Sequence, residues 1–198
     1  MLAITVIPLQ IFLKSVLEEK ENAILINLQS AQRDKIWLQR FLSMVMGMAD
    51  VNFTLFSGMM LFLISDSLIA FKTSMVYCFG LYMIVILKLF YESPRPFWNS
   101  TEIVTFEGYC DFDFASPGNH VFSLCFFWTY TIFMYFQKYI EENKINYKLV
   151  VSLYSVLGVM TLLTFYGTFL FGVVYIYQNI VSLLYSITFF IIIVNFDA

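Results

Sequence analysis

The sequence predicts an all-α integral membrane protein, a bundle of five to six transmembrane helices. Three observations carry that prediction. Hydrophobic residues make up 60% of the chain and charged residues only 13%, about half the ~25% of an ordinary soluble domain. No Asp, Glu, Lys or Arg occurs between Lys148 and Asp197. The chain also divides into apolar runs near the ~20 residues that a helix needs to cross a bilayer core.

The elements follow in order. Residues 1–40 mix an apolar start with Glu18, Glu19, Lys20 and Glu21, then place Ile24, Leu25, Ile26 and Leu28 among polar neighbours. This predicts an amphipathic segment on the membrane surface. Residues 41–198 form the bundle. Its spans are expected at about 41–65, 73–91, 119–137, 149–168 and 171–195. The first carries Asp50, an acid that is costly in mid-bilayer unless paired or near water. The last two spans need a reversal, which Gly167 and Gly172 mark. The positive-inside rule does not orient the bundle, because five cations on one side face four on the other.

Net charge is −3, which leaves no basic field for nucleic acid. Cys78, Cys110 and Cys125 are too scattered for a disulfide framework or a zinc site. The acids of the 92–118 loop, Glu102, Glu107, Asp111 and Asp113, lack the spacing of a metal site. No metal or other cofactor is expected.

Chemistry concentrates at two span ends. Lys88 and Arg95 close the second span, and Pro94 and Pro96 stop the helix around Arg95. Two cations converging there suit a phosphate, with Arg supplying a fork; the plainer reading is a snorkelling lysine and an anchoring arginine. Pro117-Gly118-Asn119-His120 opens the third span. A helix start offers free backbone N–H groups, so Gly118, Asn119 and His120 join Lys88 and Arg95 as candidates for holding a lipid headgroup.

The order of these motifs resembles the type-2 phosphatidic acid phosphatase superfamily. Its members resemble a Lys, six residues, then Arg-Pro; then Pro-Ser-Gly-His; then Ser-Arg, five residues, His, three residues and Asp, set in a six-helix membrane bundle. Here Lys88, Arg95 and Pro96 match the first motif in full, and Pro117 and His120 match the second. In the third, aligned on Phe171-Gly172, Thr168 stands for the arginine, Val174 for the nucleophilic histidine and Gln178 for the aspartate. The resemblance implies a phosphohistidine mechanism with His120 as the acid, and the chain has no second histidine. A catalytically inactive relative is therefore expected: a structural or accessory subunit of a membrane complex, keeping a site for anionic phospholipid. The alternatives are an active lipid phosphate or pyrophosphate phosphatase with another nucleophile, and a phospholipid-binding module. Expected partners are membrane lipids and protein subunits, in the mitochondrial inner membrane or the endoplasmic reticulum.

Overall fold

The computed structural model describes residues 2–32, 34–105, 113–141 and 147–197. All regular structure there is helical: α1 (Leu2–Gln32), α2 (Ile36–Met48), α3 (Val51–Ile64), α4 (Ser67–Tyr91), the single turn α5 (Pro96–Asn99), α6 (Asn119–Glu141), α7 (Tyr147–Leu170) and α8 (Ile176–Asp197). Among the described residues, α4, α7 and α8 are each long and apolar enough to cross a membrane, and the bent pair α2 with α3 is a fourth if it counts as one span. The chain is an integral membrane protein.

The expected span at 41–65 is not one helix. α2 and α3 meet at a bend of 51°, and the break sits at Ala49–Asp50. Asp50 explains it: its carboxylate accepts from Asn52 N at 2.8 Å and caps α3. Such a cap is worth about 0.5–2 kcal/mol, and it gives this mid-span acid a local partner. α2 also begins at Ile36, so the boundary expected after residue 40 falls inside a helix. Asp66 caps α4 in the same way through Leu68 N at 3.0 Å, starting that helix at Ser67 rather than near 73.

α6 is the central helix, packed against α3, α4, α7 and α8. It runs antiparallel to α4: Ser123 meets Tyr77 at 2.9 Å near the middle, and Lys138 meets Asp66 at 2.8 Å at the far end. Its mean apolarity is below that of its neighbours because aromatic and polar side chains fill it, and those are buried by protein rather than lipid. Phe122, Phe126, Tyr77, Ile84 and Tyr185 form the main cluster. Gly80 lets α4 and α6 touch, since a Cβ there would lie 2.5 Å from Phe126.

α1 is a single helix whose contacts collect at one end of the bundle. Gln10 donates to Ser93 at 3.2 Å, Glu21 caps α8, and Gln29 donates to Leu170 O at 2.8 Å. The α7–α8 reversal occurs at Gly172, with φ +67. Only glycine takes that angle at no steric cost, and a Cβ would also meet Ile103 at 2.7 Å. Gly167 is not part of the turn. It lies within α7, where its missing side chain admits Met46 of α2.

Candidate functional site

The two cations come first. α4 ends at Tyr91 because Glu92 takes the left-handed conformation, φ 44. Arg95 then caps α5, with Pro96 at its first position. The turn directs both side chains inward, leaving Lys88 only 4% and Arg95 2% exposed. Lys88 therefore does not snorkel, and Arg95 is not a surface anchor.

Both converge on Asp113. Lys88 Nζ pairs with one carboxylate oxygen and Arg95 Nη2 with the other. Arg95 Nε also donates to Asp113 O at 2.8 Å, and Nη1 reaches Val173 O at 3.2 Å. The loop is brought back by a backbone bond from Ala115 N to Ser93 O, 3.0 Å. Burial pushes the Asp113 carboxyl up, but the Lys88 and Arg95 charges outweigh it and hold the group below the usual carboxylate range. The oxyanion in their grip is the chain's own carboxylate, and sequence reading had counted Asp113 merely among the loop acids. Glu107 and Asp111 lie outside the described residues.

Around Pro117 the second motif is also corrected in part. Gly118 N–H is not available to a ligand, because it donates to Ser182 Oγ of α8 at 2.5 Å. Asn119 opens α6, and His120 follows in its first turn, 8% exposed. A side chain at Gly118 would press on Ser182 and Asn179 at 3.3 and 3.4 Å. Beside it the buried Asn179 Oδ1 and Ser116 Oγ have no hydrogen-bond partner among the described residues.

The third segment closes the site with neutral groups. Thr168 Oγ1 accepts from Asn179 Nδ2 at 2.8 Å. Val174, 3% exposed, packs in an apolar cluster with Leu42, Met46, Leu170, Phe171 and Val173. It lies 3.5 Å from where a Gly118 Cβ would be. Gln178 is fully engaged: Oε1 accepts from Tyr175 N at 2.9 Å, while Nε2 donates to Pro94 O at 3.1 Å and Tyr177 Oη at 3.2 Å. The three sequence motifs therefore meet in space. Arg95 touches Val173, Gln178 touches Pro94, and Val174 borders the space beside Gly118.

One further carboxylate enters from α1. Glu21, buried, accepts from Ile176 N at 2.8 Å and Tyr177 N at 3.2 Å. It caps α8, where backbone N–H groups and the helix dipole favour an anion. Desolvation nevertheless pushes its pKa up to about 7, against the pull of those two donors. Tyr175, just before α8, hydrogen-bonds Asn22 at 2.7 Å and Asn99 at 3.3 Å. Burial raises its pKa above the ordinary tyrosine value, so it carries no phenolate at neutral pH. Among the described residues no group of three His, Cys, Asp or Glu side chains could hold a metal.

The helical bundle has the fold of a PAP2-type membrane phosphatase. It superposes on the crystal structure of a transmembrane PAP2-type phosphatidylglycerolphosphate phosphatase from Bacillus subtilis with a TM-score of 0.76, covering 99% of this chain and 94% of that one. Identity is 14%, so the likeness is one of architecture. No protein-family model matches the chain, and no curated protein does.

Proposed function

We propose that this protein is a catalytically silent form of the phosphatase fold, serving as a structural or accessory subunit of a membrane assembly. One observation carries the reading. Where the three motifs meet, the third contributes Thr168, Val174 and Gln178, each already committed to packing or hydrogen bonds. A valine has no lone pair to attack phosphorus, and a catalytic unit that loses one member drops by about 10⁴–10⁶ in rate. His120 would be an acid without a nucleophile. Tyr175 does not replace it, since burial keeps its proton on.

The solved neighbour is a lipid phosphatase, so the rival reading is an active one. Phosphate release from phosphatidic acid and polyprenyl diphosphate, by wild type, His120→Ala and Arg95→Ala, separates the two. Turnover in wild type that both variants lose overturns the silent reading. Purification in mild detergent at native level addresses the accessory role: co-migration with a stoichiometric large complex supports it, and a lone monomer overturns it. In either case the lipids and protein subunits of the mitochondrial inner membrane or endoplasmic reticulum are the proposed surroundings.

A second reading is favoured by the geometry of Lys88 and Arg95. Two buried cations from different helices address the two oxygens of one oxyanion, which is the arrangement that binds phosphate. Anion binding needs no nucleophile, so an anionic phospholipid site is compatible with a silent protein.

A further inference from the structure

We infer that the face of the bundle around Asp50 docks a transmembrane helix of a different protein, one that carries a lysine or arginine near its middle; this rests on the accessory-subunit reading above. The observation behind it is a charge without a counter-charge. The bent pair α2–α3 runs from Ile36 to Ile64, and Asp50 stands at its midpoint. An acid at that depth is rare and is normally paired. Its Oδ1 accepts from Asn52 N at 2.8 Å, the cap of α3. Among the described residues no donor meets Oδ2 and no cation pairs with the group. The neighbouring hydroxyl protons are spent elsewhere: Thr54 Oγ1 donates to Asp50 O at 2.9 Å, and Tyr77 Oη donates to Ser123 Oγ at 2.9 Å.

The surface beside this acid has room for a helix. Asp50 shares a helix face with Phe53 and Leu61, and those two line an apolar cleft of about 610 Å³ between α3, α6 and α7. Residues 124–136 of α6 line it over about 18 Å, more than half of the ~30 Å hydrocarbon core. Its other wall, α7, is less covered by protein than α8, 11% buried against 33%. Gly47, one turn before Asp50, has nothing within 4 Å of the place a Cβ would take, so a second backbone can come close.

No charged side chain lines the cleft, and the counter-charge must come from outside. A lipid tail would fill the volume and leave two groups unmet: Asp50 Oδ2, and Tyr135 Oη, which is buried in the cleft wall without a partner. A second copy of this chain does not supply the cation either. Symmetry within a membrane presents each residue at its own height. Lys88 is buried and paired, and Lys138 pairs with Asp66. Arg40 and Lys72 lie in the second turns of α2 and α4, away from the middle of the span. A helix from another subunit, with one basic residue at mid-span, meets the requirement.

The test uses the full chain in phosphatidylcholine vesicles with dye-labelled transmembrane peptides of leucine and alanine. The peptides are identical except for a central Lys, Leu or Glu, and a fourth carries its Lys two turns off centre. Energy transfer reads association. The central-Lys peptide is expected to bind wild type about tenfold more tightly than the Leu peptide, the worth of one polar contact between membrane helices. The Glu and displaced-Lys peptides should bind no better than Leu. Asp50→Asn keeps the α3 cap, because Asn and Asp cap alike, and should bring the Lys peptide down to the Leu level. A photo-crosslinker at the cleft residue Val156, and not one at the exposed Ile187 of α8, should capture the Lys peptide. Equal binding of the Lys and Leu peptides by wild type overturns the proposal, as does undiminished Lys binding by Asp50→Asn or capture at Ile187 instead. Purification at native level separates this from the reading beneath it. A lone wild-type monomer overturns the accessory role, a complex lost in Asp50→Asn supports docking at Asp50, and a complex that Asp50→Asn retains overturns the docking alone.

Discussion

The two halves of the site fill the same buried pocket by opposite means. On the α4–α5 side, charge is kept and compensated: Lys88 and Arg95 face an internal carboxylate. On the α7–α8 side the groups are neutral: Asn179 donates to Thr168, and Gln178 bonds Tyr175 N and Pro94 O. The difference teaches where each half is vulnerable. A neutral hydrogen bond contributes about 0.5–1.5 kcal/mol net, whereas losing one member of a buried ion pair costs about 3–5 kcal/mol, because a charge is left desolvated.

The largest effect is therefore expected from Arg95→Ala. It removes the bonds to Asp113 and Val173, a loss of about 3 kcal/mol, the low end for a buried pair because Asp113 is partly solvated. Thermal unfolding in detergent measures it, and a loss no greater than that of Gln178→Ala would erase the contrast between the halves.

Gln178→Ala comes next. It orphans Tyr175 N and Pro94 O, at about 1–3 kcal/mol for a buried unsatisfied group. Gln178→Glu sharpens the point, since its carboxylate can accept from Tyr175 N but cannot donate to Pro94 O at 3.1 Å. It is expected to destabilise as well, and a more stable Gln178→Glu would show that this half tolerates charge.

The pH dependence comes third and probes Glu21, the carboxylate that caps α8. Its folded pKa of about 7 lies above the ordinary glutamate value of 4.5. The native state then holds the extra proton between those values, so its contribution to stability is complete below about 4.5 and is lost as pH rises through 7. Wild type should lose more stability than Glu21→Gln between pH 5 and pH 8, both measured in the same detergent. Parallel profiles would mean that the α8 donors hold Glu21 ionised throughout.

The smallest effect is expected from Val174→His. One imidazole restored, with Thr168 in place of a cation and Gln178 already committed, should give no phosphate release above His120→Ala. Turnover in this variant would show that the neutral half needs only its nucleophile.

How much of this was legible in the chain varies by residue. The helices α4, α7 and α8 follow from apolar run length, whereas α6, expected as a span at 119–137, is a helix but not one of those apolar enough to cross; the motif order placed Lys88, Arg95, Pro117 and His120 at helix ends, where they lie. The break at Asp50 was legible in principle, because an acid followed by a fresh apolar run is an N-cap signature. It was missed because the run reads as one hydrophobic stretch. Asp113 and Glu21 gave no signal at all. Each reaches its partners across 18 residues or more of sequence, and local pattern does not encode such distances.

What the sequence determined by itself is the class of molecule and which side chains are present. Apolar run length is read against bilayer thickness, and a missing second histidine is missing in any fold. What only the tertiary structure decided is which group occupies the cations and which N–H groups remain open. Asp113 fills the clamp and Ser182 takes the Gly118 donor because a returning loop and a neighbouring helix bring them there. Desolvated charges and buried donors must find partners, and the partner is whichever group the packing places within reach.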